Sequence, residues 1–198
     1  QGTLACFLDL EKACDVVWRK ALLVKLAKAG ITGKIWKLLD STFRSVVRVM
    51  HKDTTCTSKH HFSAKFNIDD FGLPQGSPES CVNFNVYVNE LAKELTSKGF
   101  GVMVNQVRIA CLLVADDVVI LANTLFELQL ALDVVQAYIV KWKLSLNPAP
   151  KSAIMSFGPQ SFRNKTSSAH LQCGEVKITS TSHYECLGVT FSPDLSWS

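Results

Sequence analysis

Residues 107–122 read VRIACLLVADDVVILA, two apolar runs broken by the adjacent carboxylates Asp116 and Asp117. Runs of this length, rich in Val, Ile and Leu, read as buried strands. A tight turn between them would lift the Asp-Asp pair to a hairpin tip. A third carboxylate, Asp9, stands near the end of another apolar run, Leu4–Leu10 (LACFLDL). An ionised carboxylate in such a setting costs several kcal/mol unless it is paired or holds a cation. Adjacent carboxylates add mutual repulsion. If the strand of Asp9 lies beside the hairpin, the acids converge, and hard divalent cations are their natural occupants. An Asp-Asp pair in isolation reads as a polar hairpin turn, so the surrounding sequence has to decide.

The chain has 198 residues, enough for one substantial core. Hydrophobic residues make up 47% and charged residues 19%, which excludes disorder. The net charge of +4 suits a phosphate-rich partner without requiring one. Seven cysteines include no CxxC pair and sit mostly in apolar runs, as reduced thiols of an intracellular protein do. The apolar stretches are too short to span a bilayer, so no membrane association is expected.

The pattern predicts a strand at Leu4–Leu10 and helices from about Asp15 to Ala29 and from Gly33 to Val47. The basic residues Arg19, Lys20, Lys25, Lys28, Lys34 and Lys37 read as a solvated helical face. Strands at Val46–Met50 and Ala64–Ile68 flank a polar loop with Lys52, Lys59, His60 and His61. A turn at Gly72–Pro78 leads into a helix ending near Ser97. Val102–Val104 and Val107–Val114 form a strand pair, and Val118–Leu121 resumes extended structure. A long helix, Phe126–Leu144, buries Leu130–Val140. Short strands follow at Ser152–Phe157, His170–Cys173, Val176–Thr179 and Cys186–Phe191. The order implies an α+β fold, one sheet with helices on one face.

Five segments in order carry a family likeness. Phe7-Leu-Asp-Leu-Glu-Lys-Ala-Cys-Asp15-Val-Val-Trp-Arg19 resembles the first palm motif of the reverse transcriptases of non-LTR (LINE-type) retrotransposons. Phe71-Gly-Leu-Pro-Gln-Gly-Ser-Pro78 and the following Phe84–Leu91 resemble the second, and Val114-Ala-Asp-Asp117 the third. Leu146-Asn-Pro-Ala-Pro-Lys151 is similar to the fourth, and Tyr184-Glu-Cys-Leu-Gly-Val-Thr190 to the primer grip. The resemblance implies a polymerase palm with a ferredoxin-like antiparallel central sheet, and RNA-directed DNA polymerase activity. Its cofactors would be two Mg²⁺ ions, with Mn²⁺ as a substitute. Two such ions about 3.5–4 Å apart activate a 3′-hydroxyl and stabilise departing pyrophosphate. Its partners would be an RNA template, a DNA primer, deoxynucleoside triphosphates and the rest of the retroelement polyprotein, inside the cell and in the nucleus. By the same resemblance Asp9, Asp116, Asp117 and the Leu10 carbonyl hold metal. Gln75 and Gly76 lie against the incoming nucleotide, Lys151 sits near the pyrophosphate as a general acid, and Leu187 and Gly188 grip the primer. Asp15 reads as structural, near the start of a helix. Residues 1–198 would be a partial palm, with fingers upstream and thumb downstream.

Three positions depart from that pattern. Cys14 stands where the family places Phe or Tyr beneath the nucleotide sugar, Val114 replaces an aromatic under the primer end, and Glu79 adds a negative charge after the turn. None removes a metal ligand. They keep open an alternative, a catalytically decayed remnant that at most binds nucleic acid. His170-Leu-Gln-Cys173 and His183-Tyr-Glu-Cys186 offer four zinc-type ligands, but residues three apart on a strand leave on opposite faces.

Overall fold

The computed structural model describes residues 2–44, 46–47, 49–52, 60–67 and 70–196. The expected polar loop falls largely outside this range, Lys59 and Cys56 with it, as do Ile68 and Trp197.

The chain is mixed α/β, built on a six-stranded sheet. Its central strand is β1 (Thr3–Asp9), antiparallel on one edge to β9 (Asp117–Ala122) and on the other to β10 (Ala153–Phe157). β8 (Cys111–Val114) extends the sheet beyond β9, while β12 (Val176–Ser180) and β11 (His170–Cys173) extend it beyond β10. The sheet is mostly antiparallel rather than wholly so, because β12 runs parallel to β10. The connection between them carries α5 (Gln160–Thr166), a helix the sequence pattern did not reveal. At two turns it is too short to show a period.

Alternation along β1 divides the interior. Leu4, Cys6 and Leu8 join Val118, Ile120, Ala122 and Ile154 in the main core. That core is closed by α3 (Pro78–Ser97) and α4 (Leu125–Trp142). Ala5, Phe7 and Met155 point the other way, against a small hairpin of β13 (Tyr184–Cys186) and β14 (Val189–Phe191). That segment was expected to be one strand. Leu187 (φ 53°) and Gly188 (φ 75°) instead turn it back on itself. α4 begins where Thr124 accepts a hydrogen bond from the Glu127 amide at 3.1 Å, a side-chain cap.

Other boundaries moved for local reasons. The first helix, α1 (Arg19–Lys28), starts later than expected, because residues 11–16 form turns and Trp18 bridges Phe71. Strand Val107–Val114 is split at Ala110 into β7 (Val107–Ile109), paired with β6 (Val102–Val104), and β8. The Val46–Met50 strand is divided between β2 (Val46–Val47) and β3 (Met50–Lys52), whose partners are β5 (Phe66–Asn67) and β4 (His60–Phe62). On the face that helical spacing predicts for α2 (Gly33–Phe43), Phe43 is buried and Leu39 packs against the core, but Ile35 and Leu38 are 64% and 66% exposed, so half of that face is open to solvent.

The basic stretch is not a uniformly solvated face. Arg19 is buried, donating to the Gly72 and Phe43 carbonyls. Lys25 is 2% exposed, with Nζ 2.6 Å from Glu90 Oε2 and 2.8 Å from the Tyr138 hydroxyl. The Trp142 ring centroid lies 3.7 Å from the same ammonium, and the Tyr87 and Tyr138 rings stand near it. One cation thus ties α1 to α3 and α4 through a hydrogen bond, an ion pair and cation–π contacts. Lys25→Met keeps the stem packing and removes the charge. It is expected to destabilise the chain by about 2–3 kcal/mol in urea unfolding, below the range of about 3–5 for breaking a fully buried pair, because Glu90 can rehydrate. A loss under about 0.5 kcal/mol would show that the cage contributes packing alone.

Candidate active site

β1 places Asp9 at its last position, directly opposite Asp117, the first residue of β9. Both continue the odd-numbered face that carries Ala5, Phe7, Val119 and Leu121. Asp116 lies one residue earlier, in the two-residue turn with Ala115 at φ 53°. Its carbonyl accepts the Leu10 amide at 3.4 Å, which ties the turn to the end of β1. Burial raises the Asp117 carboxyl above the ordinary aspartate value, and the charges of Asp116 and Asp9 raise it further. The repulsion inferred from the sequence is therefore present.

Asp9 is partly neutralised. Asn147 Nδ2 donates to its Oδ2 at 2.8 Å, and Lys151 Nζ lies 3.3 Å from the same oxygen. Beyond Asp9 the chain continues as a bridge, Leu10 opposite Leu146, with the Asn147 amide donating to the Asp9 carbonyl at 2.9 Å. Ser152 accepts the Asp9 amide through Oγ at 3.4 Å and donates to the Asn147 carbonyl at 2.6 Å. Tyr184 stacks on Phe7 with centroids 4.2 Å apart, and its hydroxyl donates to the Lys151 carbonyl at 2.6 Å. Burial, with Asp117 and Asp9 nearby, pushes that phenol up to about 12, so it remains a donor. Asn147, Ser152 and Tyr184 had no role assigned from sequence. Asn147 and Tyr184 stand in the quoted motifs, and only the bridge to β1 shows what they hold.

The Asp-Asp turn separates two cavities. Asp116 and Ala115 line one of about 570 Å³, together with Cys14, Asp15, Gln75, Gly76 and Cys81. Gly76 has φ 81° with open space where a Cβ would project, so its conformation needs glycine while the pocket stays clear. Gln75 Nε2 donates to Asp15 Oδ1 at 2.9 Å. Asp15 consequently orients Gln75, four residues ahead of α1, and is not a helix-terminal charge. Glu79, the negative charge added after the turn, does not line the pocket. Its carboxyl is held below the ordinary value by a hydrogen bond from Ser77, in the first turn of α3, where negative charge is favoured.

Asp117 faces the second cavity, an almost wholly apolar groove of about 470 Å³ between the sheet and the β13–β14 hairpin. Val114 and Leu187 line it as well, whereas Gly188 lies at the hairpin tip outside it. Asp9, Asp117 and Lys151 are therefore neighbours, and Asp116 joins Cys14, Gln75 and Gly76. Leu187 borders the site, and Gly188 is more remote.

Among the described residues, no three His, Cys, Asp or Glu side chains stand close enough to hold a metal ion. The expected three-way convergence is a facing pair with a third carboxylate on the adjoining turn. The donor chemistry still fits a hard divalent cation, since all the candidate donors are oxygens and Asp117 carries unrelieved repulsion. His170 is exposed while Cys173 is buried, at opposite ends of β11. No helix among the described residues is long and apolar enough to cross a membrane.

Comparison with known proteins reaches the same region. The family profile for reverse transcriptase (RNA-dependent DNA polymerase) matches residues 1–191. The RNA-directed DNA polymerase from mobile element jockey of Drosophila funebris is 28% identical over a 204-residue alignment, covering 98% of this chain. The chain spans 20% of that relative's length. A match across nearly every element, with the carboxylates of the first and third motifs side by side on adjacent strands, places this chain in the reverse transcriptase family of RNA-dependent DNA polymerases.

Proposed function

We propose that this chain is the palm of a non-LTR retrotransposon polymerase, in which its ferredoxin-like sheet extends a DNA 3′ end on an RNA template. The observation that carries the reading is the pairing of Asp9 with Asp117 next to Asp116, which itself lines the pocket of Cys14, Gln75 and Gly76. The jockey relative's name supports the retroelement assignment. Asp9, Asp116 and the Leu10 carbonyl would hold two Mg²⁺ ions, with Asp117 the auxiliary carboxylate. Bound there, the cations would supply activation of the attacking hydroxyl and charge neutralisation at the phosphates.

The chain's own groups prepare that chemistry. Asn147 fixes the rotamer of Asp9 from Oδ2. Lys151 is its counter-ion and, near the leaving pyrophosphate, would serve as general acid. Tyr184 holds the Lys151 backbone in place for that transfer. Asp15 keeps the Gln75 amide at the pocket edge, beside the open approach at Gly76. The primer end would lie along the β13–β14 hairpin at Leu187 and Gly188. A second reading, a decayed remnant, is favoured by Cys14 in the pocket and Val114 in the groove, a thiol and an aliphatic side chain where the family places aromatic rings.

In a protein carrying this segment between fingers and thumb, Asp9→Asn and Asp116→Asn are expected to abolish primer extension, and Asp117→Asn to slow it less. Inactivity of the unsubstituted protein with both Mg²⁺ and Mn²⁺ would establish the remnant.

Thermal unfolding of the 198-residue chain tests the metal site without turnover. The Asp117 carboxyl is raised in the folded chain, so stability declines as pH rises from the unfolded value near 3.8 through the folded one. At pH 7 in chelator, Asp117→Asn should unfold about 1–3 °C higher than the wild type, a small gap because the group is partly solvated and screened. The gap should close below pH 3.8 and shrink when Mg²⁺ is added. Equal midpoints throughout would remove the electrostatic argument for a cation.

Cys14 tests the pocket floor. A thiol leaves open the volume that an aromatic ring would deny to a 2′-hydroxyl. Cys14→Phe should lower ribonucleotide relative to deoxynucleotide incorporation at least about tenfold, about 1.4 kcal/mol in the ratio of specificity constants. An unchanged ratio would place the sugar elsewhere.

A further inference from the structure

Cys14 and Cys81 line the same pocket from opposite segments, the turn after β1 and the start of α3. Two short links hold those segments together. The Cys14 carbonyl accepts the Leu73 amide at 2.8 Å, and Ser80, next to Cys81, donates Oγ to the Pro74 carbonyl at 2.7 Å. Cys14 is partly exposed and Cys81 exposed, so both are reachable by a small solute. Burial raises the Cys14 thiol above its ordinary value, and nearby Cys81 raises it further, ahead of Asp116 and Asp15. The remaining described cysteines lack this arrangement. Cys6 and Cys173 are buried, while Cys111 and Cys186 pack against opposite faces of the sheet.

We propose that Cys14 and Cys81 form a reversible disulfide, with glutathione disulfide as oxidant, that closes the pocket to nucleotides. The Cys81 thiolate attacks one sulfur of glutathione disulfide, breaking its S–S bond and releasing one glutathione. The Cys14 thiolate then attacks the Cys81 sulfur of the mixed disulfide and expels the second glutathione. The two cysteines lose two electrons and two protons, and glutathione disulfide becomes two glutathione thiols. A bond with Cβ atoms about 3.5–4.5 Å apart crosses the pocket beside Asp116, where a sugar would otherwise lie. Reduced glutathione reverses each step. The exclusion of nucleotide rests on the polymerase reading, whereas the bond itself does not.

The test uses the 198-residue chain in glutathione buffers of graded oxidation, quenched with N-ethylmaleimide and mapped by mass spectrometry. A peptide joining Cys14 to Cys81, lighter by two hydrogens and cleaved by dithiothreitol, is the expected product. Cys81→Ser should abolish the joined peptide, leaving Cys14 reduced or glutathionylated. Persistent glutathione on Cys81 with Cys14 free, or Cys81 joined to Cys56, would overturn the pairing. Equilibrium binding of a deoxynucleoside triphosphate with Mg²⁺ should weaken at least tenfold on oxidation and recover on reduction. Equal affinity in both states overturns the gate. Absence of binding by the reduced chain overturns the gate and leaves the disulfide as a modification site, while the polymerase reading is tested separately by primer extension.

Discussion

Strand β1 is bonded on both edges, to β9 and to β10, and its two faces see different worlds. Leu4, Cys6 and Leu8 are committed to the helical core, so Ala5, Phe7 and Asp9 must take the opposite face. A slip of one residue would turn Asp9 toward α3 and α4 and the leucines toward the β13–β14 hairpin. The apolar core therefore sets the position of the acid, and it does so far more strongly than any interaction that Asp9 makes itself. From this register follow its opposition to Asp117 and the bridge between Leu10 and Leu146 that brings Asn147 and Lys151 within reach.

The two important lysines illustrate how surroundings assign roles to identical side chains. Lys25 is enclosed by Glu90, Tyr138, Tyr87 and Trp142, and its ammonium has nowhere else to go. Burial pulls its pKa down, and the hydrogen bond and charge of Glu90 pull it back, a balance suited to fastening three helices. Lys151 is exposed along most of its length, and its contact with Asp9 is long at 3.3 Å. A pair of that kind contributes little to stability. It leaves the ammonium free to exchange partners. Tyr184 gives this loose contact a firm base by holding the Lys151 backbone instead of its side chain.

Apolar surface remains open in two places. Ile35 and Leu38 on α2 face solvent, and the groove beneath the β13–β14 hairpin is lined by Leu112, Val114, Val119 and Leu187. Periodicity alone marked α2 as having a core face. Nothing in a local pattern states how much of that face the same chain covers, and here Leu39 and Phe43 are packed while Ile35 and Leu38 are not.

The sequence by itself determined the elements whose signal is local and strong. The strands around Asp9 and the Asp-Asp turn, the long helices α3 and α4, and the order of the motifs were legible because hydrophobic period, turn residues and spacing act over a few residues. The five segments also carried the family likeness that the profile match bears out. Tertiary structure alone decided the parallel placement of β12, the short helix α5 and the burial of Arg19 and Lys25 in what read as a solvated basic face. It alone assigned Asp15 to Gln75, Glu79 to its own helix, and Asn147, Ser152 and Tyr184 to the surroundings of Asp9. These are contacts between residues far apart in the chain, between Asp9 and Asn147 or Lys25 and Tyr138. Their formation depends on which faces the sheet and helices bring together, and that is a property of the packed molecule rather than of any segment.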